Sequence, residues 1–421
     1  MSKAKTLAGT VSAGGALANP TAIPAANIAG LATVATTGSY TDLSDKPTIT
    51  TTATNLAGGS AGTVPYQSAA DTTQMLAVGT AGQVLTSAGA AAPSWANLPS
   101  GSEVIRAARI SDTALTGSNR GNLIDVTSGT FTQTFVAAAT LGSGWFCYIR
   151  NSGTGDITLD PNDSETIDGL TSYVMYPGET RLVQCDGTAL RTVVLNTFNR
   201  TFTSSGTFIK PPGYSQFSGL AWGGGGGGSR SSQYNGSGGG GGGCTPFTVF
   251  SSAISASQSV TIAAGGAGAS TQDTEATGGG NTTFSIVVAY GGGGGSGNSN
   301  GAGGGGILSA ASGYQPGEPY STTATEENVG FGGAAPYRNA VYGGGGGGGY
   351  SNGAGGKSVY GGGGGGRTTG SGGTSIFGGN GGGGTSAAPE AGFAPGGGGH
   401  GSSVTSGAAG ARGELRIWGI I

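Results

Sequence analysis

The sequence predicts an all-β, fibrous protein with an extended N-terminal region, a small β-sandwich, and a glycine-rich domain of strands and bundled polyglycine II helices. Three observations carry this. Of the 95 glycines, 73 lie in residues 201–421, many in uninterrupted runs. Residues 101–200 hold short alternating or β-branched segments with turn signals between them. Residues 1–100 are rich in Ala, Thr, Gly and Pro and have no sustained hydrophobic period.

Residues 1–100 therefore read as a shaft or attachment region with short strands or turns, since one copy of such a chain buries little surface alone. In residues 101–200 the strand candidates are Leu123–Val126, Thr130–Val136, Trp145–Arg150, Ile157–Leu159, Ser172–Tyr176, Thr180–Cys185 and Thr192–Leu195. The turn signals are 151–155, 160–163, Pro177-Gly178 and Asp186-Gly187. Their spacing suggests a β-sandwich. Cys147, Cys185 and Cys244 are too few for a disulfide framework and read as buried thiols, although Cys147 and Cys185 fall in strands of one domain.

Residues 201–421 open with a predicted strand pair, Thr201–Ile209 and Gln216–Trp222, about the turn Pro211-Pro-Gly213. The glycine runs follow. A run has no side chains with which to build a hydrophobic core, and ordering glycine costs more backbone entropy than ordering any other residue. Disorder is thus the default. Three features argue for order instead. The runs have similar lengths, four of them follow an aromatic directly (Trp222, Tyr290, Tyr342 and Tyr360), and the chain ends in a strand-like segment, 413–421. An extended three-residue-per-turn helix makes no internal hydrogen bonds, so its N–H and C=O groups must pair with neighbouring helices. Only glycine permits that approach. A six-residue run would span about 19 Å.

If successive runs are antiparallel, loops alternate between the two ends of the bundle. Loops 229–237, 296–302, 350–360 and 385–395 then lie at the end away from the entry strand, and the long loop 307–342 lies near it. Segment 412–418 returns to the entry end and is placed to pair with the entry strand. The insert 244–290 is the one segment that breaks the count.

Several strings resemble known sequences. Gly38-Ser-Tyr-Thr-Asp-Leu-Ser-Asp-Lys-Pro-Thr-Ile49, and the segments at 62–68, 82–87 and 93–95, resemble short elements of bacteriophage tail-fibre proteins. The strings 121–128, 144–151 and 167–169 resemble a module of phage fibres. Strings at 206–213, 220–225, 259–268, 279–283 and 413–418 resemble the glycine-rich C-terminal domain of phage tail fibres, and are similar to tip adhesins built as a polyglycine sandwich. This resemblance implies a homotrimer and a host-binding tip whose loops carry specificity. It also implies an N-terminal region attached to virion tail or baseplate proteins, in a particle assembled in the host cytoplasm. The expected ligand is a host cell-surface glycan or outer-membrane protein.

Candidate receptor-binding residues are Tyr314, Tyr320, Tyr337, Arg338, Tyr350, Asn352 and Lys357, because loops on a rigid scaffold often carry recognition and Tyr gives rigid contact area. Trp222, Tyr290, Tyr342 and Tyr360 read as structural caps at the bundle ends.

No catalytic residue, metal or cofactor is expected. Gly355-Gly-Lys-Ser358 is not a P-loop, since Ser351 stands where the pattern needs glycine and no apolar strand precedes it. His400, the sole histidine, cannot build a multi-histidine metal site within one chain and reads as a surface residue; the alternative is metal shared by three copies on a trimer axis. Segment 160–169 has calcium-like oxygens but carries Glu165 where an EF-hand needs glycine. Glu326 and Glu327 are adjacent but mark no glycosidase cleft. A net charge of −3 with no Lys/Arg block argues against nucleic acid, and no apolar stretch is long enough to insert in a membrane. Nor is there an apolar stretch after Met1 that reads as a signal peptide. The competing readings are a structural fibre or head-decoration protein, an ice-binding or matrix glycine-rich protein, and a depolymerase.

Overall fold

A computed structural model describes residues 59–98, 103–297, 300–312, 317, 339–349 and 353–421. The chain divides into two compact units, Met1–Pro99 and Ser100–Ile421. The described residues are mostly strand and extended backbone, and the sheets do not close into a barrel.

The first unit contains two antiparallel hairpins. In one, β1 (Val64–Ala69) pairs with β2 (Thr72–Leu76); in the other, β3 (Gln83–Ala88) pairs with β4 (Ala91–Asn97). Their tight turns place Asp71 at φ 58° and Gly89 at φ 70°, and the Trp95 indole N–H donates to the Ala77 carbonyl at 2.7 Å. The tail-fibre-like string at 38–49 lies outside the described residues.

The second unit begins with β5 (Arg106–Arg109), β6 (Leu123–Val126), β7 (Phe131–Thr134), the single turn α1 (Ala138–Leu141), β8 (Phe146–Asn151) and β9 (Ile157–Asp160). β10 (Tyr173–Met175), β11 (Thr180–Cys185) and β12 (Leu190–Asn196) complete this part. One sheet has the order β12-β11-β8-β6-β5 and the other β10-β9-β7. Both are mixed, because β5–β6, β6–β8 and β7–β9 run parallel. Alternation along each strand supplies the shared core. β8 buries Cys147 and Ile149, β9 Ile157 and Leu159, and β11 Val183 and Cys185, against Trp145 and Tyr173. All three cysteines are free and buried.

The glycine-rich part rests on two further sheets. β13 (Asn199–Phe202), β15 (Gln216–Trp222), β16 (Cys244–Phe250) and β22 (Glu414–Ile420) form one, in the order β13-β22-β15-β16. The other has the order β14-β17-β18-β19, from β14 (Gly206–Ile209), β17 (Ser257–Thr261), β18 (Thr282–Phe284) and β19 (Val287–Ala289). The small hairpin β20 (Gly384–Thr385) and β21 (Ala388–Pro389) stands apart. The expected pairing of Thr201–Ile209 with Gln216–Trp222 does not form. Bends at 203–205 split the first segment, and its halves join different sheets, β13 with β22 and β14 with β17. The expected return of the C-terminal strand does occur, since β22 lies between β13 and β15. Phe198, Phe208, Phe217, Phe284, Leu415 and Ile417 fill the core between these sheets.

Between the strands, backbone packs on backbone. In run 223–229 the N–H groups of residues 223, 226 and 229 donate to 243, 240 and 237. Those of 224 and 227 donate to 280 and 277, and those of 225 and 228 to 411 and 408. The carbonyls of 224, 225 and 226 accept from 292, 266 and 399. Every third residue faces the same neighbour, and the run has six neighbours, as in hexagonal packing. Among the described residues fourteen runs can be traced this way: 223–229, 237–243, 263–269, 276–280, 290–296, 301–306, 343–349, 353–356, 361–366, 370–374, 378–383, 390–395, 396–402 and 407–412. Successive runs reverse direction throughout, the insert 244–290 included. Four runs, 223–229, 237–243, 361–366 and 396–402, have six neighbours each and are interior.

Depth dictates composition. Interior runs are glycine along nearly their whole length, since an added Cβ at Gly226 or Gly228 would meet backbone oxygen at 1.9 and 2.0 Å. An outer run has one face in water and tolerates a side chain every third residue. In run 263–269, Ala264 and Ala267 are exposed while Ala263, Gly266 and Ala269 are buried. This corrects the expected loop count. Segments 353–356, 370–374, 378–383 and 390–395 are runs interrupted by Ala, Ser, Asn or Phe, so 350–360 and 385–395 each contain a run rather than one distal loop.

Candidate functional site

The bundle presents two ends of different character. At the end nearest the sheets, aromatic–glycine pairs open five runs: Trp222-Gly223, Tyr290-Gly291, Tyr342-Gly343, Tyr360-Gly361 and Phe377-Gly378. Trp222 is fully buried; its indole donates to the Tyr360 carbonyl at 2.5 Å, and the Arg416 guanidinium lies 4.7 Å from its ring centroid. Tyr342, Tyr360 and Phe377 form a stacked column with centroids 4.6 and 4.8 Å apart and planes within 10° of parallel. Serine hydroxyls tie the same turns together, Ser358 to the Gly343 carbonyl at 2.7 Å and Ser375 to the Gly361 carbonyl at 2.6 Å. Sequence reading missed the third turn because Asn380 interrupts the glycines after Phe377, although Ser375-Ile-Phe-Gly378 repeats Ser358-Val-Tyr-Gly361.

Lys357 is exposed at this near end, not the far one, with its N–H on the Asn339 side-chain oxygen at 2.8 Å. The physical reason is the extra run 353–356, which reverses the chain once more. Tyr314, Tyr320, Tyr337, Arg338, Tyr350 and Asn352 lie outside the described residues.

At the far end the turns 230–236, 271–275, 384–389 and 402–406 come together. Two arginines brace them. Arg230 donates to the carbonyls of Ser270 at 2.7 Å and Val404 at 3.1 Å. Arg367, 3% exposed, donates from Nε to the Asn235 carbonyl at 2.8 Å and from Nη2 to the Tyr234 carbonyl. The Ser231 hydroxyl donates to Asp273 Oδ1 at 2.6 Å and accepts the Tyr234 N–H at 3.1 Å. These polar turns hold a half-exposed Tyr234. None of these residues stood out in the sequence, since Arg230 and Arg367 each sit one or two residues past a glycine run and read as ordinary loop charges.

The family model described as a glycine-rich domain matches residues 201–417. The chain belongs to that glycine-rich domain family. No curated protein matches it. Within the glycine-rich domain, no group of three or more His, Cys, Asp or Glu among the described residues could hold a metal ion. No helix of the described residues is long and apolar enough to cross a membrane.

His400 is not the surface residue expected. It is fully buried because it continues run 396–402: its N–H donates to the Glu390 carbonyl at 3.2 Å and its carbonyl accepts from Ala408 at 2.9 Å. Neither ring nitrogen has a hydrogen-bond partner. Burial holds the imidazole below its ordinary pKa of 6.5, and the nearby backbone of Gly370 and Gly401 and the Glu390 carboxylate offset this only in part. The unfolded chain then binds a proton at higher pH than the fold does. The resulting stability is fully present above about pH 6.5 and falls as pH drops toward the folded-state pKa, by at most about 1.4 kcal/mol per pH unit. Urea unfolding between pH 7.5 and 5 checks this. His400→Leu is expected to flatten that slope, and an unchanged slope would assign it to other groups.

Proposed function

We propose that this glycine-rich domain is the tip of a bacteriophage tail-fibre adhesin and that its far-end turns contact the host receptor. The observation that carries this reading is the grouping of turns 230–236, 271–275, 384–389 and 402–406 at the end remote from the two four-stranded sheets. The scaffold itself offers little to bind with. Glycine runs, read as polyglycine II helices, hold the turns rigidly while contributing almost no side chains. The hydrogen-bond period of three residues supports that assignment. The sequence resemblance to phage fibres across all three regions supports the same role, with residues 1–100 attached to the virion and the chain a homotrimer. Binding is non-covalent and needs no cofactor. Several weak sites on one particle gain avidity through effective concentration.

Immunogold electron microscopy of virions carrying the chain tests this, using an antibody raised against residues 223–400. Gold is expected at the free ends of tail fibres. Exchange of turns 230–236 and 402–406 is then expected to change which strains adsorb the particle. Gold on the head or along the shaft, or adsorption indifferent to the exchange, would favour a structural fibre or decoration role instead.

A further inference from the structure

We infer that the far end recognises a neutral, hydroxyl-rich glycan and that Tyr234 is the ring on which the sugar packs, an inference that rests on the adhesin reading above. Tyr234 is 50% exposed and is the exposed aromatic side chain at this end among the described residues. Its turn is fixed on several sides before any ligand arrives. The carbonyls of Tyr234 and Asn235 both accept from Arg367, the Tyr234 N–H is held by Ser231, and Thr368 Oγ1 donates to the Asn235 carbonyl at 3.3 Å. Asn235 completes the turn at φ 55°, in the left-handed region that asparagine tolerates better than most residues. A ring held this way loses little conformational entropy on binding.

The surroundings select the ligand class. Ser232 and Gln233 precede Tyr234 in the same exposed turn, and the exposed Gln272 donates to the Ser232 hydroxyl. Amides and hydroxyls around an aromatic face match a sugar, whose C–H face packs on the ring while its hydroxyls exchange hydrogen bonds with the amides. The charges argue against an anionic ligand. Arg230 and Arg367 direct their guanidinium N–H groups at backbone carbonyls, while Asp273, Glu275 and Glu390 are exposed carboxylates at the same end. Apolar exposure beside them is limited to single residues such as Val404, which is less than a hydrophobic protein segment needs.

The test uses the full chain, fluorescently labelled, on a panel of bacterial strains. Cells are left intact, oxidised with periodate to cleave sugar diols, or digested with a broad protease. Periodate is expected to abolish binding and protease to leave it. Tyr234→Ala is expected to weaken binding roughly ten-fold or more, with an unchanged thermal midpoint, while Tyr234→Phe stays within about two-fold. Binding that survives periodate but not protease would overturn the glycan and leave the adhesin reading standing. Tyr234→Ala binding like the parent protein would overturn the role of the ring. If the parent protein binds no strain, the adhesin reading itself fails and this inference with it.

Discussion

Alanine at Gly240 is expected to lower the stability of the fold by about 3 kcal/mol or more, the upper range for overpacking. Gly240 lies in an interior run, where an added Cβ would sit 1.9 Å from the Gly303 carbonyl oxygen and 2.6 Å from its carbon. Both are backbone atoms, so no side chain can rotate away. Nor can the runs separate cheaply. The Gly240 N–H donates to the Gly293 carbonyl at 3.0 Å and the Gly305 N–H to the Gly241 carbonyl at 2.9 Å, so a shift that relieves one contact stretches hydrogen bonds to the others. The same change at Gly280, in an outer run, places the new Cβ no closer than 3.6 Å to any atom. There alanine is expected to be neutral or stabilising by about 0.4–1 kcal/mol, because it restricts the unfolded chain. Denaturant unfolding of the two variants measures the contrast. Equal stabilities would mean that the backbone contacts of the interior runs are looser than this packing requires.

That contrast also explains how much of the fold was legible in the sequence. Long pure runs such as 223–228, 238–243 and 361–366 were visible because interior positions admit nothing but glycine. Outer runs such as 291–295 and 343–349 were visible too, but those interrupted by other residues were not. Run 263–269 contains four alanines, and run 390–395 contains Glu390 and Phe393; each keeps glycine only where another backbone presses on it. Because run number sets which end a loop occupies, the hidden run 353–356, interrupted by Ala354, moved Lys357 from one end to the other. Strands 123–126 and 180–185 were legible to the residue, and along 180–185 the two-residue period is imposed by a core on one face. The splitting of 201–209 between two sheets was not, because Thr203-Ser-Ser205 gives no stronger turn signal than many exposed strand residues do. At the far end, Tyr234 and its arginine braces became a group only through folding: Arg367 is 133 residues from the Tyr234 carbonyl it holds.

Removing one partner of the buried pair Glu179 and Arg181 is expected to cost about 3–5 kcal/mol, as for other buried ion pairs left half complete. Their side chains are 0% and 1% exposed and meet at 2.6 Å. Arg181 also donates to Thr192 Oγ1 at 2.7 Å and to the Pro212 carbonyl at 2.6 Å, and the Tyr214 hydroxyl donates to Glu179 at 3.1 Å. Glu179, Arg181 and Thr192 belong to the first sandwich-like part, whereas Pro212 and Tyr214 lead into β15 beneath the bundle. The pair is thus a joint between the two parts. Burial raises the Glu179 pKa despite the pull of Arg181, so the ionised carboxylate gains less from its partner than it loses by leaving water. Replacing both residues with apolar ones of similar size, Glu179→Leu with Arg181→Met, is therefore expected to recover most of the stability that Glu179→Ala alone loses. Unfolding monitored separately in the two parts distinguishes a joint from a local defect. With Glu179→Ala, residues 103–196 are expected to melt before the bundle, giving two transitions where the parent protein gives one. A single transition shifted as a whole would mean that the aromatic packing of Tyr176, Phe198 and Phe208 couples the parts without the ion pair.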